Sequence, residues 1–306
     1  MRAVVIAEQG ANPALSEVPT PQPAAGEVLV RVQASSVNGF DTAVAAGYLA
    51  GTMEHRFPVV LGKDFAGTVA AVGDGVTRFA AGQPVFGVVM KPFLGDGGFG
   101  EYVTVSDQIG ITALPAGIGP ATAGALGLAG TAALDSLAAV APEPGQTVLV
   151  SGATGGVGAI AIQYAAAAGA RVIATARPGT ETEFVRGLGA TEVVDHTGDV
   201  SAQVRAISPD GVNAVLHLAG DGPALAGLLA EKGRLASTLG FGADQHPAAT
   251  FVYANPSADT LDRLAADVAA GRLTVPVARA YPLAEVPTAF GDFAGGTLGK
   301  IAITVA

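Results

Sequence analysis

Apolar positions along this chain follow two rhythms, and the change between them falls near Pro115. Before it, short β-like runs are separated by Pro and Gly: Arg2 to Ala7, Val28 to Gln33, Gly67 to Val72, Pro84 to Val89 and Glu101 to Val105. Runs of this length between turn residues predict a barrel-like all-β unit over residues 1–115. After Pro115, strand-like runs alternate with helical segments. The runs are Thr147 to Val150, Arg171 to Ala174, Glu192 to Asp195, Ala214 to Leu218 and Arg234 to Leu239. That alternation predicts an α/β domain with a doubly wound parallel sheet over residues 116–272. A helix, Ala258 to Ala270, and two strands, Ala278 to Leu283 and Gly299 to Val305, close the pattern.

The first strand of the second region runs straight into a glycine turn. From Ala153 the spacing is A-x-G-x-x-G, with Gly155 and Gly158, one methyl away from the dinucleotide fingerprint. Gly155 lets the backbone approach a pyrophosphate, and Gly158 lets the helix pack closely on the strand. The amides that open the helix face phosphate oxygens at the positive end of its dipole. A helix of small residues, Ala159 to Ala168, ends at Gly169, and the next strand completes a βαβ unit. Where the NAD form of this unit ends its second strand in an acid, this chain has Ala176-Arg177. A carboxylate there repels a 2′-phosphate and a guanidinium pairs with one, so the residues favour NADPH. The competing reading of Arg177 is an ordinary solvated loop arginine.

Composition narrows the chemistry. With 306 residues, half of them apolar, the chain has enough material for a sizeable core. It has no cysteine, which removes disulfides, thiolate nucleophiles and thiolate zinc sites together. The formal charge of −10, with no basic cluster, argues against a nucleic-acid partner. The sequence opens on a strand-like run with no leader pattern and holds no long unbroken apolar run, so a soluble, cytoplasmic protein without a membrane partner is expected. The four histidines, His55, His196, His217 and His246, are scattered. His196 and His217 fall at or within predicted strands, where a hydrogen-bonded structural role is expected.

Several motifs occur in a telling order: Gly26-Glu27-Val28, Val37-Asn38-x-x-Asp41, Leu61-Gly62-Lys63-Asp64-Phe65-Ala66-Gly67, the turn from Ala153 to Gly158, and Leu298-Gly299-Lys300-Ile301. In this the chain resembles the medium-chain dehydrogenase/reductase superfamily, most of all its zinc-independent quinone oxidoreductase (zeta-crystallin-like) branch. The resemblance implies a GroES-like β-barrel catalytic domain, to which residues 273–306 return, and a Rossmann domain that binds NADPH. Substrate and nicotinamide would meet in the cleft between them, and the protein would be a homodimer. Cofactor contacts are implied at Thr154, Gly155, Gly156 and Val157 in the turn, and at Thr175 and Arg177 after the second strand. Leu218, Ala219, Leu239 and Phe241 are implied beside later strands, together with Lys300 and with Thr131, which stands one position ahead of the family's usual threonine.

Zinc-dependent relatives carry Cys and His ligands in the barrel and a Gly-His-Glu where this chain has Gly62-Lys63-Asp64. No metal is therefore expected, and the favoured substrate is an acceptor already activated by conjugation, a quinone or an enone. The resemblance places Asn38 near the nicotinamide; on composition alone it is a turn residue. Position 43, where quinone-reducing relatives often have a tyrosine, is Ala, and the nearest tyrosine is Tyr48. Tyr48 is either a proton donor or a packing residue. The alternatives to a quinone reductase are an enoyl or alkenal double-bond reductase and a non-catalytic NADPH-binding protein.

Overall fold

A computed structural model describes residues 1–305. The chain forms two compact units. One comprises Met1–Thr131 and the chain from Pro256 onward; the other is Ala132–Asn255.

The first unit is built on a seven-stranded sheet. Its order runs Ile111–Ala113, Pro84–Val88, Asp64–Val72, Glu27–Ser36, Lys300–Thr304, Val277–Pro282, with Tyr102–Ser106 also paired to Glu27–Ser36. The ten-residue strand Glu27–Ser36 has three partner strands, all antiparallel, and its valines Val28, Val30 and Val32 are buried. Packed around them are Phe65, Phe99, Ile111, Ile301 and Ile303, each contributing about 1.5–3 kcal/mol on burial. Gly67 has no room for a side chain, because a Cβ there would lie 2.0 Å from the Arg31 carbonyl oxygen of the paired strand. The last two strands of the chain, Val277–Pro282 and Lys300–Thr304, are part of this sheet.

The boundaries between the units differ from the change of rhythm at Pro115 and from residue 272. The helix Pro120–Gly124 and the start of the helix Gly127–Val140 pack on the barrel strands. A Cβ on Gly124 would lie 2.9 Å from the Ala34 carbonyl, and the Leu128 amide donates to Asp64 Oδ1 at 2.8 Å. The helix Ala258–Ala269 also belongs to this unit: its Asp262 accepts from Thr112, and Leu264 meets Gly130. Periodicity distinguishes strand from helix but does not say which sheet a helix covers.

The second unit is a six-stranded parallel sheet in the order Glu192–Val194, Arg171–Thr175, Thr147–Ser151, Val212–His217, Leu229–Ser237, Ala249–Phe251. This is the doubly wound Rossmann order, which reverses between Thr147–Ser151 and Val212–His217. The short outer strand Ala249–Phe251 lies in the apolar run 248–254, outside the strand-like runs named above. The helix after the glycine turn spans Gly156–Ala167, three residues earlier than its small-residue run suggests, because Gly155 takes the extended N-cap conformation and Gly156 and Gly158 are themselves helical. Among the described residues no helix is long and apolar enough to cross a membrane.

Candidate active site

In the barrel unit, the strand Glu27–Ser36 ends at a buried polar cluster. Asn38 caps the helix Gly39–Ala45, and its backbone amide donates to Asp41 Oδ2 at 2.9 Å. Its side-chain Nδ2 donates to Asp64 Oδ2 at 2.9 Å, with Asp41 Oδ2 at 3.3 Å and the Ser36 carbonyl at 3.2 Å. Its Oδ1 accepts from Lys300 Nζ, which also donates to the Val37 carbonyl at 2.9 Å and lies 3.6 Å from Asp64 Oδ2. Ser36 Oγ donates to Asp64 at 2.6 Å. Both ends of the Asn38 amide are thereby fixed, its oxygen by a cation and its nitrogen by carboxylates.

Two carboxylates and an ammonium in one buried cluster perturb one another. Burial, and then the charge of Asp64, raise Asp41 to about 7 against the opposing Lys300 and Asn38. Burial also pushes Lys300 below its ordinary value, although Asp64 and Asp41 oppose the shift. Lys63, whose Nζ donates to the Val89 carbonyl at 2.6 Å, is lowered for the same reason. Asp41 and Lys63 face a small hollow together with Phe40, Lys91 and Asp96.

In the Rossmann unit the glycine turn begins at Gly152, with φ of +79°, and its amide donates to Thr175 Oγ1 at 3.0 Å. Thr175 thus ties the second strand's end to the turn. A Cβ on Gly158 would lie 2.4 Å from the Gly152 carbonyl oxygen, so helix and turn touch there. Gly155 is open by contrast: a Cβ would come no nearer than 3.5 Å to any atom. The open side of Gly155 and the unpaired first-turn amides, with Gly156 and Val157 half-buried, fit a pyrophosphate. Thr154 is half-buried in the same turn. Ser151 Oγ donates to the Ala219 carbonyl at 2.6 Å, which fixes the loop that carries the half-buried Leu218.

Arg177 does not stand free. Its Nε donates to Glu181 Oε1 and its backbone amide to Glu181 Oε2, both at 2.7 Å. His196 Nε2 lies 3.4 Å from Glu181 Oε2. Burial raises the Glu181 carboxyl, but the bonds from Arg177 outweigh it and hold the group below the usual range. Arg177 lies ahead of the helix Thr180–Gly187 that carries Glu181, so the helical i to i+4 rule gave no signal for this pair.

Other candidates fare differently. Tyr48 is 79% exposed on the turn after its helix, with no side-chain hydrogen bond among the described residues, so nothing draws it towards Asn38. Thr131 is buried, and its hydroxyl bonds back to the Gly127 carbonyl one helical turn earlier, at 2.8 Å, within the barrel unit. Lys300 is 4% exposed and committed to the Asn38 cluster. Leu239 is exposed, while Phe241 is buried edge-on to His217 at 6.0 Å between ring centroids. His217 is the structural histidine its strand position suggested. Nε2 donates to the Gly220 carbonyl at 3.1 Å, so Nδ1 accepts from Ser237 Oγ at 3.0 Å.

The alcohol dehydrogenase GroES-like domain family matches residues 24–116, and the zinc-binding dehydrogenase family matches residues 156–257. The structure is similar to that of the quinone oxidoreductase from Coxiella burnetii, with a TM-score of 0.90 and 28% identity over 100% of this chain and 99% of that one. The chain belongs to the medium-chain dehydrogenase/reductase superfamily, in its quinone oxidoreductase branch. Another superfamily structure similar to it is a mycobacterial protein complexed with NADPH, with a TM-score of 0.85, 27% identity and 99% of both chains covered. In sequence, the chain is 35% identical over 209 residues to the chloroplast envelope quinone oxidoreductase homolog of Arabidopsis thaliana. That match takes in 66% of this chain and spans 62% of the plant protein's length. Members of the superfamily bind a nicotinamide cofactor, which the open turn at Gly155 fits.

Proposed function

We propose that the chain is an NADPH-dependent, metal-independent reductase that transfers a hydride to a quinone or another conjugated carbonyl. The observation that carries this reading is the open glycine turn at Gly155, tied through Thr175 to the end of a strand that Ala176-Arg177 follow. The first-turn amides of Gly156 and Val157 would hold the pyrophosphate, and Arg177 would meet the 2′-phosphate. When bound, the reduced nicotinamide supplies the hydride.

A role without metal is supported by the donor chemistry. Among the described residues, no three His, Cys, Asp or Glu side chains are gathered to hold a metal ion. The cation beside Asn38 and Asp64 is the Lys300 ammonium, which would repel a divalent ion. An acceptor activated by conjugation needs no Lewis acid, and a reduced quinone takes its proton from water. With Tyr48 on the surface, a quinone suits this chain better than an enoyl or alkenal double bond, whose reduction leaves an enolate that gains more from an acid. The reading also takes the protein as a cytoplasmic homodimer, for which the outer strand Ala249–Phe251 offers an unpaired edge.

The test is NADPH oxidation followed by absorbance across a panel of quinones, enones and alkenals. Turnover with quinones is expected. Tight NADPH binding with no oxidation by any acceptor would instead favour a binding protein, and light scattering checks the dimer.

A further inference from the structure

The guanidinium expected to meet a 2′-phosphate is already occupied. Glu181 takes the Arg177 side chain at 2.7 Å and its backbone amide at 2.7 Å, so one carboxylate spans the position just beyond the strand Arg171–Thr175. The site is not sealed, because the Arg177 side chain is 57% exposed. The Glu181 side chain is 14% exposed and is held from its other side by His196 at 3.4 Å. Asp195 adds a second negative charge near Arg177, while its own carboxylate accepts from Thr197. The strand end adjoins the glycine turn through the bond from the Gly152 amide to Thr175.

We propose that Glu181 is a specificity-determining residue that competes with the cofactor's 2′-phosphate for Arg177. The inference rests on the nucleotide-binding reading above and deepens it. The sequence has no acid at the end of the strand, but the fold returns one there from four residues later, in the first turn of the helix Thr180–Gly187. A ribose that carries only hydroxyls leaves the Arg177–Glu181 pair intact and can donate to the carboxylate. A 2′-phosphate must displace Glu181 from the guanidinium and bear its negative charge close by. The chain therefore accepts NADH as well as NADPH, and its preference for the phosphorylated cofactor is smaller than Arg177 alone would produce.

The experiment uses adenosine 2′,5′-bisphosphate and AMP as probes, with Kd measured by titration calorimetry on the full chain at one fixed salt concentration, because exposed phosphate contacts are screened. Glu181→Gln keeps an acceptor for the Arg177 amide and removes the charge. It is expected to tighten the bisphosphate by about tenfold, from the released ion pair and the lost repulsion, and to leave AMP within about twofold. Adding Arg177→Ala to Glu181→Gln should abolish that gain, which a structural effect of Glu181 would not require. Unchanged bisphosphate affinity in Glu181→Gln, or an equal change for both probes, overturns the proposal while AMP binding leaves the nucleotide reading standing. If wild type and variants bind neither probe, both fail.

Discussion

Replacing Asp41 by asparagine should change how the stability of the barrel unit responds to pH. The Asp41 carboxyl is raised from its ordinary 3.8 to about 7, first by burial and then by Asp64. Between those values the folded protein keeps a proton that the unfolded chain has lost. The unfolded state therefore binds fewer protons, and the free energy of unfolding falls as pH rises, by about 1.4 kcal/mol per unit. The contribution is fully present below 3.8 and is lost as pH rises through about 7, a total of order 4 kcal/mol. An asparagine in its place would be neutral throughout, and its side-chain oxygen would still accept from the Asn38 amides that Asp41 Oδ2 serves. Asp41→Asn should therefore gain on wild type by about 2 kcal/mol between about pH 5.5 and pH 7, with the difference level above about pH 8. The assay is urea unfolding followed by circular dichroism at fixed ionic strength, with the loss of a protonated-carboxyl infrared band in the variant as a direct check. Parallel stability curves for the two proteins would refute the reasoning, since Asp41 would then titrate as it does in the unfolded chain.

Exhaustive chelation should leave quinone reduction unchanged, and activity that is lost on chelation and restored by zinc would refute the metal-independent reading. Gly158→Ala should destabilise the Rossmann unit by about 1–3 kcal/mol, measured by thermal unfolding, because the added methyl would sit 2.4 Å from the Gly152 carbonyl oxygen. Tyr48→Phe should leave turnover with quinones within about twofold, since the exposed hydroxyl is not bonded to the Asn38 cluster; a drop of about a hundredfold, as removal of a general acid produces, would restore Tyr48 to the mechanism.

Much of the scaffold is legible in residue order, because strand and helix periods and glycine positions are local properties. The runs around Val28, Phe86, Leu149, Ile173 and Leu216 all lie in strands, and Ala153, Gly155 and Gly158 mark the dinucleotide turn before any contact is known. The outer strand Ala249–Phe251 lies in the apolar run 248–254, which residue order shows but which does not by itself say which sheet it joins. Nor was membership legible for the helices Pro120–Gly124 and Ala258–Ala269, whose small or apolar faces are compatible with either sheet.

The chemistry divides along the same line. Residue order is enough for the fold class, the absence of thiolates and the loss of the Gly-His-Glu pattern at Gly62-Lys63-Asp64, because these depend only on which residues occur and at what spacing. How those residues are charged and occupied follows from the folded arrangement instead. Lys300 reaches Asn38 across 262 positions, and Asp64 reaches it across 26. Burial and the neighbouring Asp64 charge, which only the fold brings about, lift the Asp41 carboxyl to about 7 against Lys300 and Asn38. Arg177 is a free guanidinium in the sequence and a partnered one in the fold, because a side chain's electrostatic role is set by its neighbours in space and by the water they exclude.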